Sequence, residues 1–171
     1  MILIALGANL PSQFGPPEET IQAAYTALAR RGIAVRARSS VWLSAPVPVS
    51  NQPWYRNAVA QVETALDIPA LLDVLKEIEA EFGRESRERN AARPLDLDII
   101  AYNDDVLESA DISVPHPRAH ERAFVLLPLQ EVCAGWIHPV LAHSVEDLIA
   151  ALPPGQDIRK QGCVVEGEAA E

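Results

Sequence analysis

In RPLDLDII, positions 93–100, two carboxylates interrupt an apolar run and an arginine stands just ahead of them. Leu95, Leu97, Ile99 and Ile100 ask for a buried strand. Side chains alternate faces along a strand, so Asp96 and Asp98 point the same way and stand side by side. Two ionised carboxylates so placed repel each other unless a cation or a shared proton intervenes, and Mg²⁺ is a hard ion that favours carboxylate oxygen. Asp-x-Asp on a strand is therefore a candidate metal platform. The motif is short, and taken alone it describes a strand with a wet, acidic outer face at least as well.

The preceding stretch, RESRERNAAR at 84–93, shifts that balance. It holds Arg84, Arg87, Arg89 and Arg93, four of the chain's 14 Lys and Arg residues, in a protein of formal net charge −10. Arginine offers a planar fork of donors that fits phosphate oxygens, and divalent metals bridge the same oxygens. The plainer alternative is a solvated loop whose Glu85 and Glu88 pair with neighbouring arginines at little energetic gain. Cations beside a paired-acid strand suit a triphosphate and its metal better than either feature does alone.

The elements that must hold these residues follow a legible order. Residues 1–6 read as an apolar strand, Gly7 and Asn9 as turn chemistry, and the prolines of PSQFGPP as a helix start. Ile21, Ala24, Tyr25 and Leu28 share one helical face, and Gly32 stands where that helix should stop. A strand begins at Ile33 and is expected to continue to Leu43, with Arg36 and Arg38 on its polar side. After the Pro-rich loop SAPVPVSNQPW, NAVAQVET reads as a strand. Asp67 caps a helix that Leu71, Leu72, Leu75, Ile78 and Phe82 line before Gly83. The acidic strand is next. The order strand–helix–strand–strand–helix–strand is that of an α+β, ferredoxin-like split βαβ sandwich with a mostly antiparallel sheet, here with elements appended after about residue 103. One domain over 1–153 is expected, with 154–171 a loose tail.

Composition bounds the partners. With 171 residues, 49% hydrophobic, and a mean hydropathy of +0.03, the chain suits one domain with a real core. The acidic balance, with a pI near 4.8, argues against nucleic acid or an acidic membrane surface as partner. No apolar stretch approaches the roughly 20 residues a spanning helix needs. MILIAL lacks a basic flank and reads as a strand, not a signal peptide. Cys133 and Cys163 form neither a redox pair nor a zinc spacing, so a reduced cytoplasm is the expected compartment.

Four segments together, ALGANL, SAPVPVSNQPWYRNAV, RNAARPLDLDII and SVPHPRAHERAFVLLPL, resemble the 6-hydroxymethyl-7,8-dihydropterin pyrophosphokinases of folate biosynthesis over roughly residues 1–150. The resemblance implies transfer of a pyrophosphoryl group from ATP to the pterin hydroxymethyl group, with release of AMP, by a monomer that binds ATP and a reduced pterin. It places two magnesium ions on Asp96 and Asp98. Arg84 and Arg93 match positive positions of the nucleotide and catalytic loop, with Arg87 and Arg89 as helpers. Glu79, Ile99, Ser113, His116 and Arg122 match positions on the nucleotide side, Ser113 standing where the family has threonine. Without the resemblance, His116 reads as a turn residue between prolines.

A pterin is a flat heterocycle with an amide-like polar edge, so it wants aromatic faces and an amide that both donates and accepts. By resemblance Tyr55 and Phe124 sandwich the ring, Asn57 supplies the amide, and backbone groups around Ser44, Ala45, Pro46 and Val47 meet the polar edge. Read alone, Phe124 is ordinary core and Asn57 a strand-start residue. The chain departs from the pattern at Asn90-Ala91-Ala92, where many members have Trp-Gly-Pro, at Asp111, where some have arginine, and at Pro117, which replaces an aromatic. A different nucleotide enzyme, such as a nucleotidyl transferase, could use the same acids without needing a pterin pocket. A non-catalytic binding module would tolerate loss of the acids.

Overall fold

The computed structural model describes residues 1–83 and 92–161. The apolar opening forms β1 (Ile2–Ala8), which runs past the expected end at Leu6 because Gly7 and Ala8 still pair with a neighbouring strand. Helix α1 (Pro17–Arg30) starts with proline in its first turn and Glu18 and Glu19 near its positive end. Gly32, at φ 77, lets the chain reverse.

The single strand expected from Ile33 to Leu43 is two strands, β2 (Ala34–Arg38) and β3 (Trp42–Ser44). Ser39 breaks it. Its backbone N–H donates to the Val59 carbonyl while its Oγ accepts from the Val59 N–H, both at 2.9 Å, so a side chain replaces one partner of the ladder. Both strands pair with β4 (Tyr55–Glu63), β2 along its end and β3 along its beginning. Asp67 caps α2 (Ile68–Glu81) as expected, its Oδ1 accepting from the Ala70 N–H at 3.0 Å. The acidic strand is β5 (Asp96–Tyr102).

Beyond it lie a small ladder of β6 (Leu107–Glu108) and β7 (Ser113–Val114), a 3-10 turn at Ala119–Glu121, α3 (Ala123–Val132) and α4 (Val145–Ala150). The expected loose tail from residue 154 contains one more strand, β8 (Ile158–Lys160), which pairs antiparallel with β3. Three residues carry too little pattern to announce a strand; the exposed edge of β3 recruits them.

The main sheet runs β5-β1-β4-β3-β8, with β2 beside β3 on β4, and its ladders are antiparallel. This is the α+β, ferredoxin-like plan. One face, bearing Ile4, Leu6, Ala60, Leu97 and Ile99, buries against Ile21 and Leu28 of α1 and Leu71, Leu75 and Ile78 of α2. The other bears Leu3, Val59 and Ile100 and buries against Leu126 and Leu129 of α3 and Leu148 of α4. That second cluster covers one end of its face only, and the polar residues of β4 and β5 occupy the other end. Among the described residues, no helix is long and apolar enough to cross a membrane.

Candidate active site

Register brings the predicted residues to one face. On β5, Asp98 stands opposite Ala5 and Asp96 opposite Gly7; across β1, Gly7 also faces Asn57 on β4. Paired residues share a face, so both acids, Asn57 and Tyr55 project together, on the side of the sheet that carries Val59 and Ile100. The floor between the acids and Asn57 is Gly7. A Cβ there would come within 3.3 Å of Asn57 Oδ1 and 4.0 Å of Tyr55 Cδ1, so the glycine keeps the floor low where a ring would lie. The sequence reading treated Gly7 as a turn; the two-sided pairing of β1 is what gives it this place.

Asn57 is buried, and its Nδ2 donates to Ser44 Oγ at 2.7 Å, which leaves Oδ1 over the Gly7 floor as an acceptor. Ser44, itself buried, therefore acts on the site by orienting the amide. The Ala45 N–H donates to the Asp157 carbonyl at 3.0 Å and is already engaged. Pro46 is buried, while Val47 is exposed at the start of the loop.

Arg93 bonds Asp96, Nη1 to Oδ1 at 3.1 Å, with 14% of the arginine side chain exposed. Its backbone is pinned by Asn9, whose Oδ1 accepts the Arg93 N–H at 2.8 Å while the Asn9 and Leu10 N–H groups donate to the Arg93 carbonyl. Asn9 Nδ2 also reaches Gln52 Oε1 and the Pro53 carbonyl, at 3.0 and 3.3 Å. One buried amide thus joins the turn before the acids to the Pro-rich loop. Sequence reasoning gave Asn9 only a turn role, since its partners lie far away in the chain.

Tyr55 lies close enough to Arg93 and Asp96 to feel both; burial raises its phenol pKa, Asp96 adds to the rise and Arg93 opposes it. His116 reaches the site from the β7 side, its N–H donating to the Ile100 carbonyl at 2.9 Å. Burial, with Arg122 and Arg118, lowers its pKa to about 4 against the pull of Asp96. His116 is therefore neutral at pH 7, and because Nδ1 accepts the Arg118 N–H at 3.1 Å, its proton sits on Nε2. Arg122, at the start of α3, senses Asp98 and Asp96, and its guanidinium carbon lies 5.4 Å from the Phe124 ring centroid. Phe124 packs partly on the α3 cluster, as its apolar surroundings suggested.

Two predicted nucleotide residues have side chains on the α2 side of β5. Ile99 is buried on the α1 and α2 face, so only its backbone is available on the site side. Glu79 is buried on α2, and its Oε2 accepts the Leu97 N–H at 3.2 Å from behind the acidic strand. Alternation along β5 explains both placements, since residues 97 and 99 point away from residues 96 and 98. Ser113 pairs with Glu108 in the β6–β7 ladder, and Asp111 and Pro117 are exposed. Arg84, Arg87, Arg89, Asn90 and Ala91 lie outside the described residues, as does Cys163.

As a donor set, two adjacent carboxylates suit a hard ion that takes the rest of its oxygen shell from phosphate and water. Among the described residues, no cluster of three or more His, Cys, Asp or Glu side chains offers a cage made of protein alone. The residues present therefore fit magnesium brought with a nucleotide.

Comparison with known proteins shows the family. The family described as 7,8-dihydro-6-hydroxymethylpterin-pyrophosphokinase (HPPK) matches residues 3–134. The 2-amino-4-hydroxy-6-hydroxymethyldihydropteridine pyrophosphokinase of Pseudomonas aeruginosa is 38% identical over 156 residues, 89% of this chain and 91% of that protein. Its Synechocystis counterpart is 37% identical over 86% of this chain and 73% of its own length. Other relatives are longer: the chain spans 23% of the Dictyostelium discoideum folic acid synthesis protein FOL1, at 32% identity. A Plasmodium falciparum HPPK-DHPS crystal structure superposes over 88% of this chain and 44% of its own, with a TM-score of 0.66 at 14% identity, a likeness of fold. The chain belongs to the 6-hydroxymethyl-7,8-dihydropterin pyrophosphokinase family.

Proposed function

We propose that the chain transfers pyrophosphate from ATP to the hydroxymethyl group of 6-hydroxymethyl-7,8-dihydropterin, releasing AMP, in folate synthesis. The observation that carries this reading is the single sheet face on which Asp96, Asp98, Tyr55 and Asn57 adjoin across the Gly7 floor, with Arg93 and Arg122 close to the acids. Asp96 and Asp98 would hold magnesium, in the complement of two ions expected above, and the metal supplies charge neutralisation on the phosphates.

The protein's own groups do the positioning. Tyr55 and Phe124 offer ring faces to the pterin, and Asn57 Oδ1 offers an acceptor to its polar edge. Arg93 and Arg122 flank the acids, where they meet phosphate charge from two sides. Neutral His116 donates from Nε2 without adding a titrating charge. The pterin hydroxyl attacks the β-phosphorus, AMP leaves, and the hydroxyl proton goes to solvent late in the step. Positioning and electrostatics carry most of the acceleration, and no histidine base is required.

The direct test supplies ATP, magnesium and the dihydropterin and identifies the products. AMP and a pterin diphosphate, formed only with the pterin present, are expected. Release of pyrophosphate instead would make the chain a nucleotidyl transferase, and binding without turnover would make it a carrier.

A further inference from the structure

Strand β8 touches both ends of one loop. Its pairing with β3 sets Ile158 opposite Ser44, and immediately beyond, the Asp157 carbonyl accepts the Ala45 N–H at 3.0 Å. That fixes the first base of the loop 45–54. At the other base, the Arg159 guanidinium carbon lies 5.8 Å from the Trp54 ring centroid, within cation–π range. The Trp54 carbonyl accepts from Arg56 Nη1 at 3.3 Å, and Arg56 Nε donates to Glu18 Oε1 on α1 at 2.6 Å. Gln161, just after β8, donates to that same oxygen at 3.4 Å.

The register shows which face this clasp occupies. Leu43 pairs with Arg56 on one side and Arg159 on the other, so these three side chains emerge toward α1. Ser44, Tyr55 and Asn57 emerge toward the site. The clasp therefore lies on the α1 side of the sheet, opposite the face that carries Tyr55 and Asn57.

We propose that the C-terminal strand is a positioning element for the pterin, clamping both bases of the 45–54 loop, with Arg159 acting through Trp54 to hold the adjacent Tyr55. The inference rests on the pyrophosphokinase reading of the site. A loop free at its bases must be ordered when the ligand arrives, and that cost weakens binding; a loop clamped at folding has already been ordered. Loosening the clamp should thus act on the pterin more than on the nucleotide.

The test uses full-length chains, and the unaltered one comes first. Pterin-dependent AMP release by it establishes the reaction, and its failure overturns the pyrophosphokinase reading and the clamp with it. Given that activity, Arg159→Ala should raise the pterin KM about two- to fivefold, the scale of one exposed cation–π contact, with kcat unchanged and a smaller rise in the ATP KM. Arg159→Lys should restore most of the affinity, and adding Trp54→Leu to Arg159→Ala should cost little more than either change alone. Thermal melts establish that each variant is folded. An unchanged pterin KM in folded Arg159→Ala, or equal rises in both KM values, would overturn the clamp while leaving the reaction standing.

Discussion

Asp96 and Asp98 share a face, and cations stand beside both. Arg93 bonds Asp96, and Arg122 is near enough to both acids to feel them. Replacing either acid by asparagine keeps the shape and removes a negative oxygen ligand, so turnover should collapse while the melting temperature stays near that of the parent. Assays at limiting magnesium check this, and parent-like turnover in either variant would remove the acids from the chemistry. His116 gives a second residue-scale prediction. Its folded pKa of about 4 lies below the ordinary 6.5, so between those values the unfolded chain binds the extra proton. The stability this histidine contributes is complete above pH 6.5 and is lost as pH falls toward 4. In the metal-free protein its ring resonances should not titrate between pH 5.5 and 8. An NMR midpoint near 6.5 would mean that the ring is not shielded as described.

Elements add a constraint that no single residue shows. Among the described residues β5 is the edge of the sheet, with no strand paired along its outer side, and Glu79 on α2 supplies an acceptor for Leu97 from the buried face. Glu79→Ala would leave that buried donor unmet at a cost of roughly 1–3 kcal/mol, and Glu79→Gln, which keeps an acceptor, should lose less. Denaturant melts order the three proteins; equal stability for the alanine variant would deny the bond any role in holding the acidic strand. Periodicity made the helices and the long strands legible, because α1, α2 and β5 each bury a face whose repeat is written in the sequence. It could not reveal that Ser39 splits a strand, that β1 includes Gly7, or that residues 158–160 join the sheet. Each of those outcomes is decided by a partner far along the chain.

For the molecule as a whole, the sheet separates core from chemistry. The α1 and α2 face is packed throughout, while the other face is covered by α3 and α4 at one end and carries the acids, Tyr55 and Asn57 at the other. That the two acids share a face follows from alternation alone, whereas Tyr55, Asn57 and Phe124 stand out in the sequence only through family resemblance, and the places of Asn9 and Gly7 through neither. The two substrate regions are not independent. Tyr55 feels Arg93 and Asp96, and Asn9 ties the backbone of Arg93 to Gln52 and Pro53 in the loop that leads into Tyr55. A nucleotide and metal that fix Arg93 and Asp96 should therefore also settle the loop, and the pterin should bind more tightly to the nucleotide-loaded protein. Coupling free energies are reciprocal, so the pterin must tighten the nucleotide by the same factor, and typical couplings of about 1–3 kcal/mol correspond to roughly 5- to 150-fold. Calorimetry with a non-hydrolysable ATP analogue, magnesium and the pterin, titrated in both orders, measures this factor. Asn9→Ala should reduce it more than it reduces either affinity alone, because the amide joins the two segments. Equal affinities in the presence and absence of the other ligand would show that the shared face holds two separate sites.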